Sequence, residues 1–140
     1  MILRQFLHTD PVAISYLFGC GGHAACAVVD PLGDSEPYLR VADQTGMRIR
    51  FVVDTHIHAD HRSAGRSLAR AAGAEYVLHA GAEVSFPFHA AKEGDRLPLG
   101  NVVVDVLRHS IAAVGRKPTA SQQHRSSIDF IPLGGKPERA

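Results

Sequence analysis

Asp54-Thr55-His56-Ile57-His58-Ala59-Asp60-His61 follows directly on the apolar run Ile49-Arg50-Phe51-Val52-Val53, and this junction decides how the chain is read. Four side chains able to ligate a metal stand within six residues, His56 to His61. Imidazole and carboxylate are donors that Zn²⁺ and non-haem Fe²⁺ both accept. The β-branched run predicts a buried strand that delivers those donors at its C-terminal end, where α/β proteins build their sites. A single loop histidine is ordinarily just solvated. Three in six residues with an aspartate between them have no structural reason to cluster, because burying them unpaired is costly.

The spacing suits a metal centre. Two histidines one residue apart grip one ion from an extended or turning backbone, and Asp60 and His61 reach a second ion from the same loop. Two ions ~3.5–4 Å apart share a hydroxide, since metal binding lowers the pKa of water toward ~7. The candidate ligands are therefore His56, His58, Asp60 and His61. Asp60 is also the candidate catalytic residue, orienting the hydroxide or taking a proton. The expected cofactor is Zn²⁺, one or two ions, or alternatively a single Fe²⁺.

Working outward, Ile2–Leu7, Ala13–Phe18 and His23–Val29 read as three strands of an antiparallel meander, punctuated by Asp10-Pro11 and Gly19-Cys20-Gly21-Gly22. Ser35–Thr45 has helical spacing, with Asp34 as its expected N-cap and Gly46 as its stop. Met47–Val53 is the strand before the histidines. Ser63–Ala72 is a second helix, with Ser63 as cap and Gly73 at its end. Ala74–Leu78 is a short strand, and Arg96–Leu99 with Val102–Leu107 forms a hairpin. Beyond Arg108 the pattern fades, and residues 109–140 are expected to be irregular or disordered.

The 140 residues suffice for one domain with a buried core. An apolar share of 45% and a charged share of 21% are ordinary for a globular chain. No apolar run reaches the ~18 residues of a membrane span, and the N-terminus lacks signal-peptide features; the expectation is a cytoplasmic protein with no membrane partner. Through residue 110 ten basic residues face twelve acidic ones; after it, five face two. That basic tail lacks aromatic interleaving, so no nucleic-acid partner is expected. Cys20 and Cys26 fit neither a redox nor a zinc-ribbon spacing and read as buried thiols.

Thr55-His56-Ile57-His58-Ala59-Asp60-His61 resembles the HxHxDH signature of the metallo-β-lactamase superfamily. Ser15-Tyr16-Leu17, Ala27-Val28-Val29-Asp30-Pro31, Ala64-Gly65 and the Gly94-Asp95 and Leu99-Gly100-Asn101 hairpin fall in that family's order. The histidine loop followed by Ser63-Ala64-Gly65 is similar to the glyoxalase II and persulfide dioxygenase branch. The resemblance covers residues 1–108. It implies an α/β fold, the N-terminal half of an αββα sandwich with its metal site at the edge between the sheets. It also implies that His56 and His58 bind a first metal and Asp60 and His61 a second. In persulfide dioxygenases a single iron takes only the position of His56 from this loop. The implied substrate is a small-molecule thioester or a glutathione-linked sulfur compound.

The family's second motif, of Gly-His-Thr type, has no counterpart here. Val102–Leu107 runs into Arg108-His109-Ser110, and His109 is the candidate substitute ligand. The expectation is a partial domain over 1–108 with its apolar faces open to self-association, and a tail explained by truncation or a disrupted reading frame. The competing function is a non-catalytic metal-binding fragment that lacks the downstream ligands. A third reading takes Asp54–His58 as the DxHxH of an amidohydrolase barrel, a fold that needs ~250 residues.

Overall fold

In the computed structural model, residues 1–57, 62–109 and 127–133 are described, with backbone alone at 108–109 and 127–133. Six strands build one sheet in the order β1 (Ile2–Thr9), β2 (Val12–Cys20), β3 (Ala25–Val29), β4 (Arg48–Val53), β5 (Glu75–His79) and β6 (His89–Ala91). β1, β2 and β3 pair antiparallel, as the meander reading expects. From β3 onward the pairing is parallel, and α1 (Glu36–Gln44) and α2 (Gly65–Ala72) make the crossovers to β4 and β5. A second, antiparallel sheet comprises β7 (Arg96–Leu99), β8 (Val102–His109) and β9 (Ser127–Leu133). Among the described residues no helix is long and apolar enough to cross a membrane.

Each face of the large sheet carries its own core. Ala27 and Val29 of β3 point to the second sheet and pack with Phe18, Phe51, Leu99 and Val104. Cys26 and Val28 point the other way, to Tyr38, Ala42, Leu68 and Ala69 of the helices. The chain therefore stacks helices, sheet and sheet, the first three layers of the expected αββα sandwich. Fully burying each valine, leucine or phenylalanine among these contributes ~1.5–3 kcal/mol, against under ~1 kcal/mol for an exposed ion pair such as Arg40–Glu36. The layers hold this fold, not its surface charges.

β4 breaks strict alternation. Ile49 faces the helices while Phe51 faces the second sheet, although two residues apart on a strand share a side. The β3–β4 register slips at that point: Cys26 pairs with Ile49 and Ala27 with Phe51. Arg50 is thus an inserted bulge residue, exposed, with its guanidinium 5.4 Å from the Phe51 ring centre. The slip sets the phase of the strand's last residues. Val53 turns toward the second sheet, and Asp54 toward α2.

Both helices differ slightly from the sequence reading. The N-cap position of α1 falls on Ser35 rather than Asp34, without a side-chain capping bond, and Pro37 lies in the first turn where a missing N–H costs nothing. α2 begins at Gly65, and Ser63 serves its N-terminus from two residues away by accepting the Gly65 amide at 2.9 Å. Gly46 and Gly73, both at positive φ, end the two helices as expected.

Ser127–Leu133 is a strand paired with β8 from Val103↔Leu133 to His109↔Ser127, within a stretch expected to be irregular. Pro132 lies in it opposite Val104, and an edge strand tolerates proline because its outer side makes no ladder bonds. The rest of the expected tail, residues 110–126 and 134–140, lies outside the described residues.

Candidate metal centre

The site grows out of the end of β4, an interior strand whose neighbours β3 and β5 fix its position on both sides. Asp54 is 3% exposed. Its amide donates to Val77 O at 3.2 Å, and its Oδ2 accepts from the Tyr76 hydroxyl at 2.6 Å. Burial first, and the Asp54 charge second, push the Tyr76 phenol well above its ordinary pKa, so it stays a proton donor to Asp54. Gly65 lies over this pair. A Cβ there would stand 2.5 Å from the Tyr76 ring and 2.9 Å from Asp54 Oδ1, so the approach requires glycine.

Thr55 comes next, and Asp30 holds it at two points. The Thr55 amide donates to Asp30 Oδ1 at 2.7 Å and the Thr55 hydroxyl to Oδ2 at 2.7 Å. Asp30 itself sits at φ +48°, a left-handed conformation that aspartate tolerates better than most residues. Its amide donates to Val53 O at 2.8 Å. Two bonds to a carboxylate, each stronger than a neutral one, offset that backbone strain.

His56 follows, exposed, with Nδ1 2.8 Å from the Thr55 hydroxyl oxygen. A carboxylate only accepts, so the single hydroxyl proton of Thr55 goes to Asp30. The Thr55 oxygen is then an acceptor, and His56 Nδ1 carries the proton. This tautomer leaves the lone pair on Nε2, the atom available to a metal. His58, Asp60 and His61 lie outside the described residues. Beyond that stretch, Leu32 bridges to Ser63 and the Ala64 amide donates to Pro31 O at 2.9 Å. One turn, Asp30-Pro31-Leu32, therefore grips the chain both before and after residues 58–61.

His79 and His89 have local partners. His79 Nδ1 accepts the Gly81 amide at 3.0 Å, and His89 Nδ1 lies 2.6 Å from Glu75. Asp105 pairs with Arg96 across β7 and β8 at 3.1 Å. The His109 backbone ends β8, and its side chain lies outside the described atoms. Among the described residues no three His, Cys, Asp or Glu side chains converge. The donors nonetheless fit a divalent cation by their chemistry: His56 is preset to offer Nε2, and the next five residues of the sequence include two more imidazoles and a carboxylate. Sequence reasoning misses Asp30 and Thr55 as functional residues. The signal available is an Asp-Pro stop at one strand end and a hydroxyl beside the first histidine of the cluster.

The model of the metallo-beta-lactamase superfamily matches residues 10–127, and the chain belongs to that superfamily. It is similar to a hydroxyacylglutathione hydrolase from Methylobacillus flagellatus, 33% identical over 105 residues, which covers 71% of this chain and 42% of the relative. A second hydroxyacylglutathione hydrolase, from Rhodospirillum rubrum, is 34% identical over 94 residues, 66% of this chain and 36% of that protein. The fold is similar to that of ETHE1 from Myxococcus xanthus (TM-score 0.70, 27% identity, 76% of this chain and 48% of that one). It is also similar to a metallo-beta-lactamase from Staphylococcus aureus subsp. aureus COL (TM-score 0.69, 30% identity, 76% of this chain and 32% of that one). The chain thus spans about two fifths of the length of the curated relatives it matches.

Proposed function

We propose that this chain carries the metal-binding half of a glyoxalase II-like hydrolase, acting on a thioester of glutathione. The observation that supports it is the Asp30–Thr55–His56 relay, which presets the first imidazole of the signature in the tautomer a metal needs. The names of the similar curated proteins point to the same substrate class. His56 and His58 would hold a first zinc ion, and Asp60 and His61 a second. When bound, zinc supplies a Lewis acid for the thioester carbonyl and a water that ionises near neutral pH. Asp60 would orient a water or take up a proton at its carboxylate. Cys20 and Cys26 are free thiols in the core, which suits a reducing, cytoplasmic setting.

Two other readings have support. The sequence resemblance to persulfide dioxygenases favours a single iron on His56 and a glutathione-linked persulfide. The run of Val102–Leu107 into Arg108-His109-Ser110, where the family's Gly-His-Thr motif is expected, favours a non-catalytic metal-binding unit. The three separate in one set of assays on zinc- and iron-loaded protein. Thiol release from a hydroxyacylglutathione identifies the hydrolase; oxygen uptake with glutathione persulfide identifies the dioxygenase. Metal uptake with neither reaction, lost when His56 and His58 are both replaced by alanine, identifies the binding unit.

A further inference from the structure

Behind the metal loop, one phenol holds the turn that sets it. Tyr38 in α1 is 1% exposed. Its hydroxyl accepts the Leu32 amide at 2.9 Å and donates to the Leu32 carbonyl at 3.1 Å, satisfying both backbone polar groups of a single buried residue. Ser15 Oγ, 0% exposed on β2, lies 2.8 Å from the same hydroxyl. His8 Nε2 lies 2.6 Å from Ser15 Oγ and 3.3 Å from the phenol. The protons count out when His8 Nε2–H donates to Ser15, Ser15 to Tyr38, and Tyr38 to Leu32 O. Each hydroxyl in this relay then both gives and receives a proton.

The position does not need a hydroxyl for packing. Tyr38 meets the Phe6 ring at 4.5 Å and lies in the helix-side core, where phenylalanine would bury as much apolar surface. What the oxygen adds is a grip on Leu32. Leu32 is two residues from Asp30 and bridges to Ser63, so its place sets the carboxylate that holds Thr55 and, through Thr55, His56. Buried hydrogen-bonded networks of this kind rigidify what they contact.

We propose that Tyr38 is a positioning residue for the metal centre: its hydroxyl fixes the Asp30–Leu32 turn, and through that turn the orientation of His56. This rests on the reading of the histidine loop as a metal site. Partners outside a ligand shell typically change metal affinity by ~10–100-fold, and a partner one step further out falls at the low end of that range.

The test is cobalt titration of the full chain, followed by its visible absorption bands. Tyr38→Phe should weaken the cobalt Kd about tenfold, with altered band intensities. Thr45→Val is the control: it removes a hydroxyl on the same helix that bonds only Val41 and Ala42 carbonyls, and it should leave the Kd unchanged. Unchanged affinity in Tyr38→Phe, or an equal loss in Thr45→Val, would overturn the proposal. If Tyr38→Phe does not fold, Ser15→Ala decides, because it keeps the phenol but removes its support; an unaltered Kd there also overturns it. Absence of any cobalt signal from the unaltered chain would instead sink the metal reading and this inference together.

Discussion

The Thr55 hydroxyl donates to Asp30 Oδ2 at 2.7 Å, joining the ends of the adjacent parallel strands β3 and β4 directly beneath His56. The bond decides which nitrogen of His56 faces outward, because a hydroxyl that donates to a carboxylate has only its lone pairs left for the imidazole. Asp30→Asn keeps a residue tolerant of the left-handed backbone and removes the charge. Zinc affinity should fall ~10–100-fold in that variant, and similarly in Thr55→Val. Competition with a chromophoric chelator measures both; affinities equal to the unaltered chain would remove the relay from the site.

Gly65→Ala should destabilise the fold by about 1–3 kcal/mol, the range for inserting atoms into a packed interior. The added methyl meets the Tyr76 ring, Asp54 and Ser63 at 2.5–3.0 Å, so the Tyr76–Asp54 bond has to lengthen. Urea midpoints report the loss. A variant as stable as its parent would mean that α2 shifts freely over the β4 end.

Burial raises the Cys26 thiol from 9.0 to about 12. The folded state therefore holds this proton more tightly than the unfolded state does. That contribution to stability is complete below pH 9 and is lost as pH rises from 9 toward about 12. Tyr76, also raised, acts in the same sense above its ordinary value. Denaturant midpoints across pH 8–11 should fall with pH, less steeply in Cys26→Ala. In the folded chain Cys26 should also resist thiol reagents near neutral pH, reacting only on unfolding. Fast labelling under native conditions would contradict this.

The β1–β2 hairpin leaves Leu7 75% and Val12 88% exposed on the side of the sheet that faces the second layer. Self-association through this strip is expected. Leu7→Lys combined with Val12→Thr should lower the association seen by sedimentation velocity without changing the unfolding free energy by more than about 0.5 kcal/mol. A monomeric parent would rule this surface out.

Much of the architecture is legible in the sequence because its signals are local and strong. The β-branched run at Ile49–Val53, the alternating β1–β2 pair and the glycines after α1 and α2 each imply one local geometry. β6 is invisible there: His89–Ala91 is three residues long and owes its existence to the edge of β5. β9 is obscured by Pro132 and by polar neighbours, and only pairing with β8 makes it a strand. The Arg50 bulge is equally unreadable, since it arises from the register between two strands. The histidine cluster advertises a metal, whereas its support does not. Asp30 reads as a strand stop and Tyr38 as one apolar position on a helix, because their roles depend on contacts 25 and 6 residues away in sequence.

The proposed centre turns on a single nitrogen. Long-range ¹⁵N–¹H spectra of the histidine rings, recorded as zinc is added, distinguish Nδ1 from Nε2 directly. His56 should retain its Nδ1 proton throughout while its Nε2 resonance moves to the metal-bound position. A His56 ring that binds through Nδ1, or whose nitrogens do not respond to zinc, would contradict the relay and the metal site built on it.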